Sequence, residues 1–343
     1  MTAAQSTATP GLRMLGLAVD AYRKVFTNPA LSAPNPVRRS GFDIDVMVGD
    51  ITAEAREVVS LTLSRPDGQQ LPSWRPGSHI DVFLPSGRQR QYSLCGDPAD
   101  RHRYRIAVRH ISDGGGGSAE VHELRPGAAL RIRGPRNAFT FVESAPSYLF
   151  LAAGIGITPI LPMVHAAGSR GRLVYLGRSR DTMPFRNELP DGAEIRPDDE
   201  AGPSDIAALL ATAAPGAAVY VCGPPPVLEA AQRILFDLNP TASLHTERFS
   251  APPVRDGHEF DLTLARSGRH VRVGATETTL EAIRRVRPDV VYSCRQGFCG
   301  TCKVGVSAGS VEHRDRLLSD DERAGHMLTC VSRSAGGPLV LDL

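Results

Sequence analysis

The cysteines near the C-terminus constrain this chain more than anything else in it. Cys294, Cys299 and Cys302 stand in a C-x4-C-x2-C spacing within Cys294-Arg-Gln-Gly-Phe-Cys299-Gly-Thr-Cys302, and Cys330 follows at a distance. Three thiolates from one loop and a fourth from farther along is the arrangement that holds a plant-type [2Fe-2S] cluster. Gly297 and Gly300 let the backbone curl so that its N–H groups point inward, toward the cluster's negative charge. A zinc site or a disulfide pair is the alternative, but zinc usually takes two C-x2-C knuckles and this loop has one. The candidate metal ligands are therefore Cys294, Cys299, Cys302 and Cys330, the last expected on a strand from Met327 to Val331.

A chain of 343 residues is too long for one core and calls for two or three domains. With 41% hydrophobic and 22% charged residues it has a globular composition. A net charge of +2 gives no reason to expect nucleic acid, and no apolar run is long enough for a membrane span. Four of the six cysteines are committed to a cluster, leaving Cys95 and Cys222 as single thiols. With no secretory signal at the start, that usage predicts a cytoplasmic protein.

Residues 1–40 read as an extension and linker: Leu15, Val19, Tyr22 and Phe26 share one helical face, and three X-Pro pairs follow. From Phe42 to about residue 142, short strands between Gly/Pro turns predict an antiparallel barrel. Within it, Arg90-Gln-Tyr92-Ser93-Leu94 can set a ring and a hydroxyl beside a flat heterocycle. Farther on, Asp113-Gly-Gly-Gly116-Gly117-Ser118 before a helix offers backbone N–H groups to a phosphate. Alone, each is commonplace; in succession they read as a flavin mononucleotide (FMN) site. From residue 143 to 250, strands alternate with helices, which calls for a parallel, doubly wound sheet. Its first strand, Tyr148 to Ala153, runs into Gly154-Ile-Gly156-Ile-Thr158-Pro159, a turn open to pyrophosphate that departs from the full dinucleotide fingerprint. Another strand ends at Cys222-Gly223-Pro224, where Cys222 is either a neighbour of a nicotinamide or simply a small buried residue. Residues 251–343 carry the cluster motif after a hairpin and a helix beginning at Thr278 or Thr279.

Taken in this order, the motifs resemble the phthalate dioxygenase reductase family, flavin reductases with a C-terminal plant-type ferredoxin domain. The matching residues are Arg90-x-Tyr92-Ser93-Leu94, the loop ending at Ser118, Gly154-x-Gly156-x-Thr158-Pro159, Cys222-Gly223-Pro224 and the four cluster cysteines, covering about residues 42–343. The resemblance implies three domains: a β-barrel flavin domain, an α/β nucleotide domain and an α+β, β-grasp ferredoxin domain. It implies that Arg90, Tyr92 and Ser93 hold the flavin, with Gly116, Gly117 and Ser118 at its phosphate. Leu94 and Val108, at the ends of neighbouring strands, join that set. By the same resemblance Gly156, Thr158 and Cys222 lie near the nicotinamide, with Gly154, Gly223 and Pro224 in the flanking turns. Thr158, Cys222 and Phe249 are the candidates for the hydride-transfer site, Phe249 serving either as a ring near the flavin or in interdomain packing.

The expected activity is a relay from NAD(P)H through FMN to the [2Fe-2S] cluster and on to an oxygenase, either Rieske-type non-haem iron or cytochrome P450. NADH is preferred by resemblance, while Arg178 and Arg180 keep NADPH open as partners for a 2′-phosphate. Arg284, Arg285, Arg287, Arg295 and Lys303 form either a docking face for an acidic partner or a solvated helix and loop. Two rivals are a redox sensor or scaffold with little turnover, and a standalone flavin or ferric reductase.

Overall fold

The computed structural model describes residues 43–112 and 115–343; the expected helix with Leu15, Val19, Tyr22 and Phe26 lies outside the described residues. The first strand, β1 (Asp43–Ala55), begins in alternation, burying Ile44, Val46 and Val48 and exposing Asp43, Asp45 and Met47. A period of two is that of a strand with one face on a core. With β2 (Val58–Ser64), β3 (Ser78–Phe83), β4 (Gln89–Ser93), β5 (Tyr104–Arg109) and β6 (Ala129–Asn137) it forms an antiparallel sheet in the order β4-β3-β6-β1-β2-β5. A bridge between Leu94 and Ile106 draws the two edge strands together, and Cys95 N–H donates to the Arg105 carbonyl at 2.9 Å. The sheet thus curls into the expected barrel around Leu61, Ile80, Leu94 and Ile132. Helix α1 (Gly117–Glu123) seats Val121 in that core.

The second sheet, β7 (Tyr148–Ala153), β8 (Gly171–Gly177), β9 (Glu194–Pro197), β10 (Ala218–Cys222) and β11 (Ser243–Glu247), is parallel throughout. The unbroken apolar run of β7 follows from burial on both faces. Tyr148 and Phe150 face α2 (Ile157–Ala167), while Leu149 and Leu151 share a core with α4 (Ile206–Leu210) and α5 (Pro225–Leu238). Short α3 (Asp198–Ala201) follows β9. In the strand order β11-β10-β7-β8-β9, connections run to opposite sides from β7, so a crevice opens between the carboxyl ends of β7 and β10.

The third sheet has the order β13-β12-β16-β14-β15, from β12 (Phe260–Leu264), β13 (Arg269–Val273), β14 (Lys303–Glu312), β15 (His326–Leu328) and β16 (Arg333–Leu341). Only β12 and β16 pair in parallel, and α6 (Thr279–Val286) packs Ala282 and Ile283 on the sheet, a β-grasp arrangement. Thr278 caps α6 with Glu281 in a reciprocal capping box, and Ser319 does the same with Glu322 for α7 (Asp320–Arg323).

Several expectations shift. The expected strand from Met327 to Val331 ends at Leu328, and Cys330 sits in the turn before β16. Helix α2 starts at Ile157 and takes Thr158 and Pro159 into its first turn, where proline lacks only an N–H that has no partner there. Strand β11 ends at Glu247, so Phe249 lies beyond the sheet. Among the described residues no helix is long and apolar enough to cross a membrane.

Candidate functional site

The cysteine loop has the tight curl its glycines suggest. Gly297 and Gly300 have φ of 79° and 77°, and a side chain on Gly297 would stand 2.8 Å from Val331. Gln296 N–H donates to Cys294 Sγ at 3.3 Å, and the N–H groups of Phe298 and Thr301 also face thiol sulfurs. The thiols fall into two neighbouring pairs, Cys294 beside Cys299 and Cys302 beside Cys330. The interaction within each pair, with burial, pushes Cys294 and Cys330 up, and the partner thiol brings Cys299 down to about 6 and lowers Cys302. Among the described residues no three His, Cys, Asp or Glu side chains gather around a single ion. Two thiol pairs ringed by backbone N–H groups suit a two-iron cluster carrying negative charge.

On the barrel, β4 presents Arg90, half-buried Tyr92 and buried Ser93. Burial pushes the Tyr92 phenol up, so the ring, packed against the barrel core, stays uncharged. Leu94 and Val108 belong to the barrel core, and the Val108 carbonyl lies 3.0 Å from His122 Nε2. Ser118 Oγ accepts from Ile111 N–H at 3.0 Å, so the hydroxyl braces the loop. Gly116 has φ of 80°, and a side chain on Gly117 would meet Arg90 Nε at 2.3 Å, so the loop's glycines admit the arginine.

At the crevice, a side chain on Gly156 would strike the Cys222 carbonyl at 2.2 Å, and one on Gly223 would meet Ala153 Cβ at 2.7 Å. The two glycine turns therefore lie in contact, with Gly154 (φ 55°) opening to free space and exposed Pro224 at the N-cap of the next helix. Thr158 is buried and donates its hydroxyl to the Ile155 carbonyl at 3.0 Å, which fixes the turn. Cys222 is fully buried, and desolvation pushes its thiol well up, keeping it neutral. Phe249 is 45% exposed, so its ring is not consumed by packing between domains. Arg178 is exposed beyond β8, whereas Arg180 forms an ion pair with Glu200 at 2.6 Å.

Glu247 escaped the sequence reading. It ends β11 opposite Cys222, near Ser93 of the barrel, and burial pushes its carboxyl up to about 8. Its Oε2 is buried with no hydrogen-bond partner. A strand-ending glutamate gives no signal of this in sequence; only the meeting of β4, β10 and β11 does.

The cluster loop also touches both other parts. Ser293, beside Cys294, donates to Asp81 Oδ1 in the barrel at 2.9 Å, and Asp81, fully buried, also pairs with Arg136. Gln296 Nε2 donates to the Arg248 carbonyl at 2.5 Å, and Phe298 lies edge-on to His79, 6.2 Å between centroids. Burial depresses His79 to about 4, so it stays neutral beside the loop. Of the basic residues expected to form a docking face, Arg285 pairs with Glu277, Arg287 with Asp289 at 2.8 Å and Lys303 with Glu322 at 2.6 Å. Arg284 turns to Tyr292. That face is largely neutralised from within.

Residues 262–335 match the 2Fe-2S iron-sulfur cluster binding domain, and residues 46–141 match the oxidoreductase FAD-binding domain. A solved phthalate dioxygenase reductase, described as a modular structure for electron transfer from pyridine nucleotides to [2Fe-2S], superposes with a TM-score of 0.66 at 34% identity, covering 89% of this chain and 99% of that one. The chain belongs to the phthalate dioxygenase reductase family. The Burkholderia cepacia phthalate dioxygenase reductase is 36% identical over 84% of this chain and 94% of its own length. The phenoxybenzoate dioxygenase subunit beta of Ectopseudomonas oleovorans is 41% identical, covering 88% and 97%. An intact type IV self-sufficient cytochrome P450 monooxygenase matches at 38% identity and a TM-score of 0.65; this chain, 93% covered, spans 44% of that longer one. As a phthalate dioxygenase reductase family member, the protein is an oxidoreductase that passes electrons through a flavin and a [2Fe-2S] cluster.

Proposed function

We propose that this chain is the NADH-oxidising component of an oxygenase system, drawing electrons into FMN and delivering them through its own cluster. The observation that carries the reading is the bond from Ser293 to Asp81, which ties the residue beside a cluster thiol to the flavin barrel. When bound, the flavin takes two electrons from reduced nicotinamide and yields them singly to the iron-sulfur centre. The protein's work is placement. Tyr92 and Ser93 flank the flavin, the Gly156 and Gly223 turns admit the nucleotide, and Cys222, Glu247 and His79, held neutral, add no charge beside them. Thr158 acts by shaping its turn, and Phe249 offers an exposed ring.

The four thiols of Cys294, Cys299, Cys302 and Cys330 would hold the cluster. We assign NADH because Arg180, one of the two arginines beyond β8 that could meet a 2′-phosphate, is already paired with Glu200. Comparing kcat/KM for NADH and NADPH tests this assignment. Domain boundaries near residues 142 and 250 and a cytoplasmic location, in keeping with Cys95 and Cys222 as single buried thiols, complete the reading. Relatives named as dioxygenase and P450 proteins point to an oxygenase as acceptor.

Replacing Cys299 by Ser is the direct test. Reduction of cytochrome c should be lost while NADH-driven ferricyanide reduction survives; loss of both would contradict the order of carriers. A standalone flavin reductase would keep both.

A further inference from the structure

Two guanidinium groups converge on one ring at the seam between the barrel and the iron-sulfur part. The Arg90 Cζ, from β4, stands 5.0 Å from the centroid of Tyr292, and the Arg284 Cζ, from α6, stands 4.6 Å from it. Both reach the glycine loop: a side chain on Gly115 would lie 3.4 Å from Arg284 Nη2, 3.8 Å from Arg90 Nη2 and 3.8 Å from Tyr292 Oη. Arg90 Nη2 also donates to the Gly115 carbonyl at 3.2 Å. A third arginine, Arg88, flanks Gly116, but Glu120 neutralises it at 3.2 Å.

No such partner serves the other two. Among the described residues neither Arg90 nor Arg284 pairs with a carboxylate, and the buried Arg284 Nε has no hydrogen-bond partner. Stacking on Tyr292 offsets part of the cost of bringing like charges together, but among the described residues it leaves the Arg284 N–H fork without an acceptor, while Arg90 meets only the neutral carbonyls of Gln89 and Gly115. An anion with several oxygens is the chemical complement of that arrangement.

We propose that Arg284 and Tyr292, borne by the iron-sulfur part of the chain, complete the binding site for the flavin's terminal phosphate opposite Arg90. This rests on the FMN reading above. Its consequence is that the cofactor is held by two domains at once: the phosphate ties the cluster-bearing part to the barrel, and the docked arrangement favours flavin retention.

The test compares FMN with riboflavin, which keeps the ring system and lacks the phosphate. Full-length protein is freed of flavin with its cluster retained, as checked by its visible spectrum, and binding is followed by quenching of flavin fluorescence. Arg284→Ala should weaken FMN at least about tenfold, the scale of one charge-assisted contact, and leave riboflavin affinity unchanged. Arg284→Lys, which keeps the charge and loses the fork, should fall between and guards against misfolding of the alanine variant. Equal weakening of FMN and riboflavin, or no weakening of FMN in either variant, would overturn the proposal. Wild-type protein that binds neither compound would instead sink the flavin reading, and this proposal with it.

Discussion

At the residue scale, Glu247 carries the sharpest prediction. The folded protein keeps its carboxyl protonated up to about 8, while an unfolded chain ionises near 4.5. The stabilisation is therefore complete below the ordinary value and is lost as pH rises from there through about 8. A neutral acid beside Cys222 and Ser93 is mimicked by an amide, so Glu247→Gln should turn over NADH near the wild-type rate at pH 7. Wild-type turnover should then decline above pH 8, approaching about tenfold per unit where the acid form is required, and the variant should lose that decline. A pH profile of NADH oxidation for the two proteins decides it. Gly156 gives a second test: alanine there would press on the Cys222 carbonyl from 2.2 Å. Overpacking of this kind costs about 1–3 kcal/mol, and thermal melts together with KM for NADH should both register it. The curl of the cysteine loop was legible because its spacing and glycines specify a tight turn, whereas the burial of Glu247 was not, because it is created by strands distant in sequence.

At the scale of elements, legibility followed local pattern. The apolar run of β7 and the capping boxes of α6 and α7 announce themselves within a few residues. Strands β14 and β16 do not, since Gly309, Gly336 and Gly337 interrupt them and their pairing slips register repeatedly. Strand β16 also begins with Arg333, a fully buried charge that a pattern of alternating hydrophobicity would reject. The structure explains it: the guanidinium donates to the carbonyls of Glu277, Gly274 and His258, pinning the turn that follows β13 and the segment that precedes β12. Arg333→Met would leave those carbonyls unmatched, and we expect about 3 kcal/mol lost. Chemical denaturation followed by loss of the visible cluster spectrum is the measurement.

At the scale of the whole molecule, the three sheets meet at contacts that no local sequence pattern announces. The Asp81 carboxylate, shared by Arg136, Gln91 and Ser293, is such a contact. Ser293→Ala removes a bond to the cluster loop without touching a thiol, and stopped-flow mixing with NADH should show unaltered flavin reduction and slower appearance of reduced cluster. Because most basic residues of α6 and its surroundings are paired internally, delivery to the acceptor should depend only weakly on ionic strength. Steep salt dependence would assign Arg295 and its neighbours a larger part. The seam itself decides how this protein behaves as a carrier. With Ser293, Gln296 and Phe298 all engaged by the body of the molecule, the metal-bearing loop is a fixed terminal rather than a swinging arm, and the acceptor has to come to it.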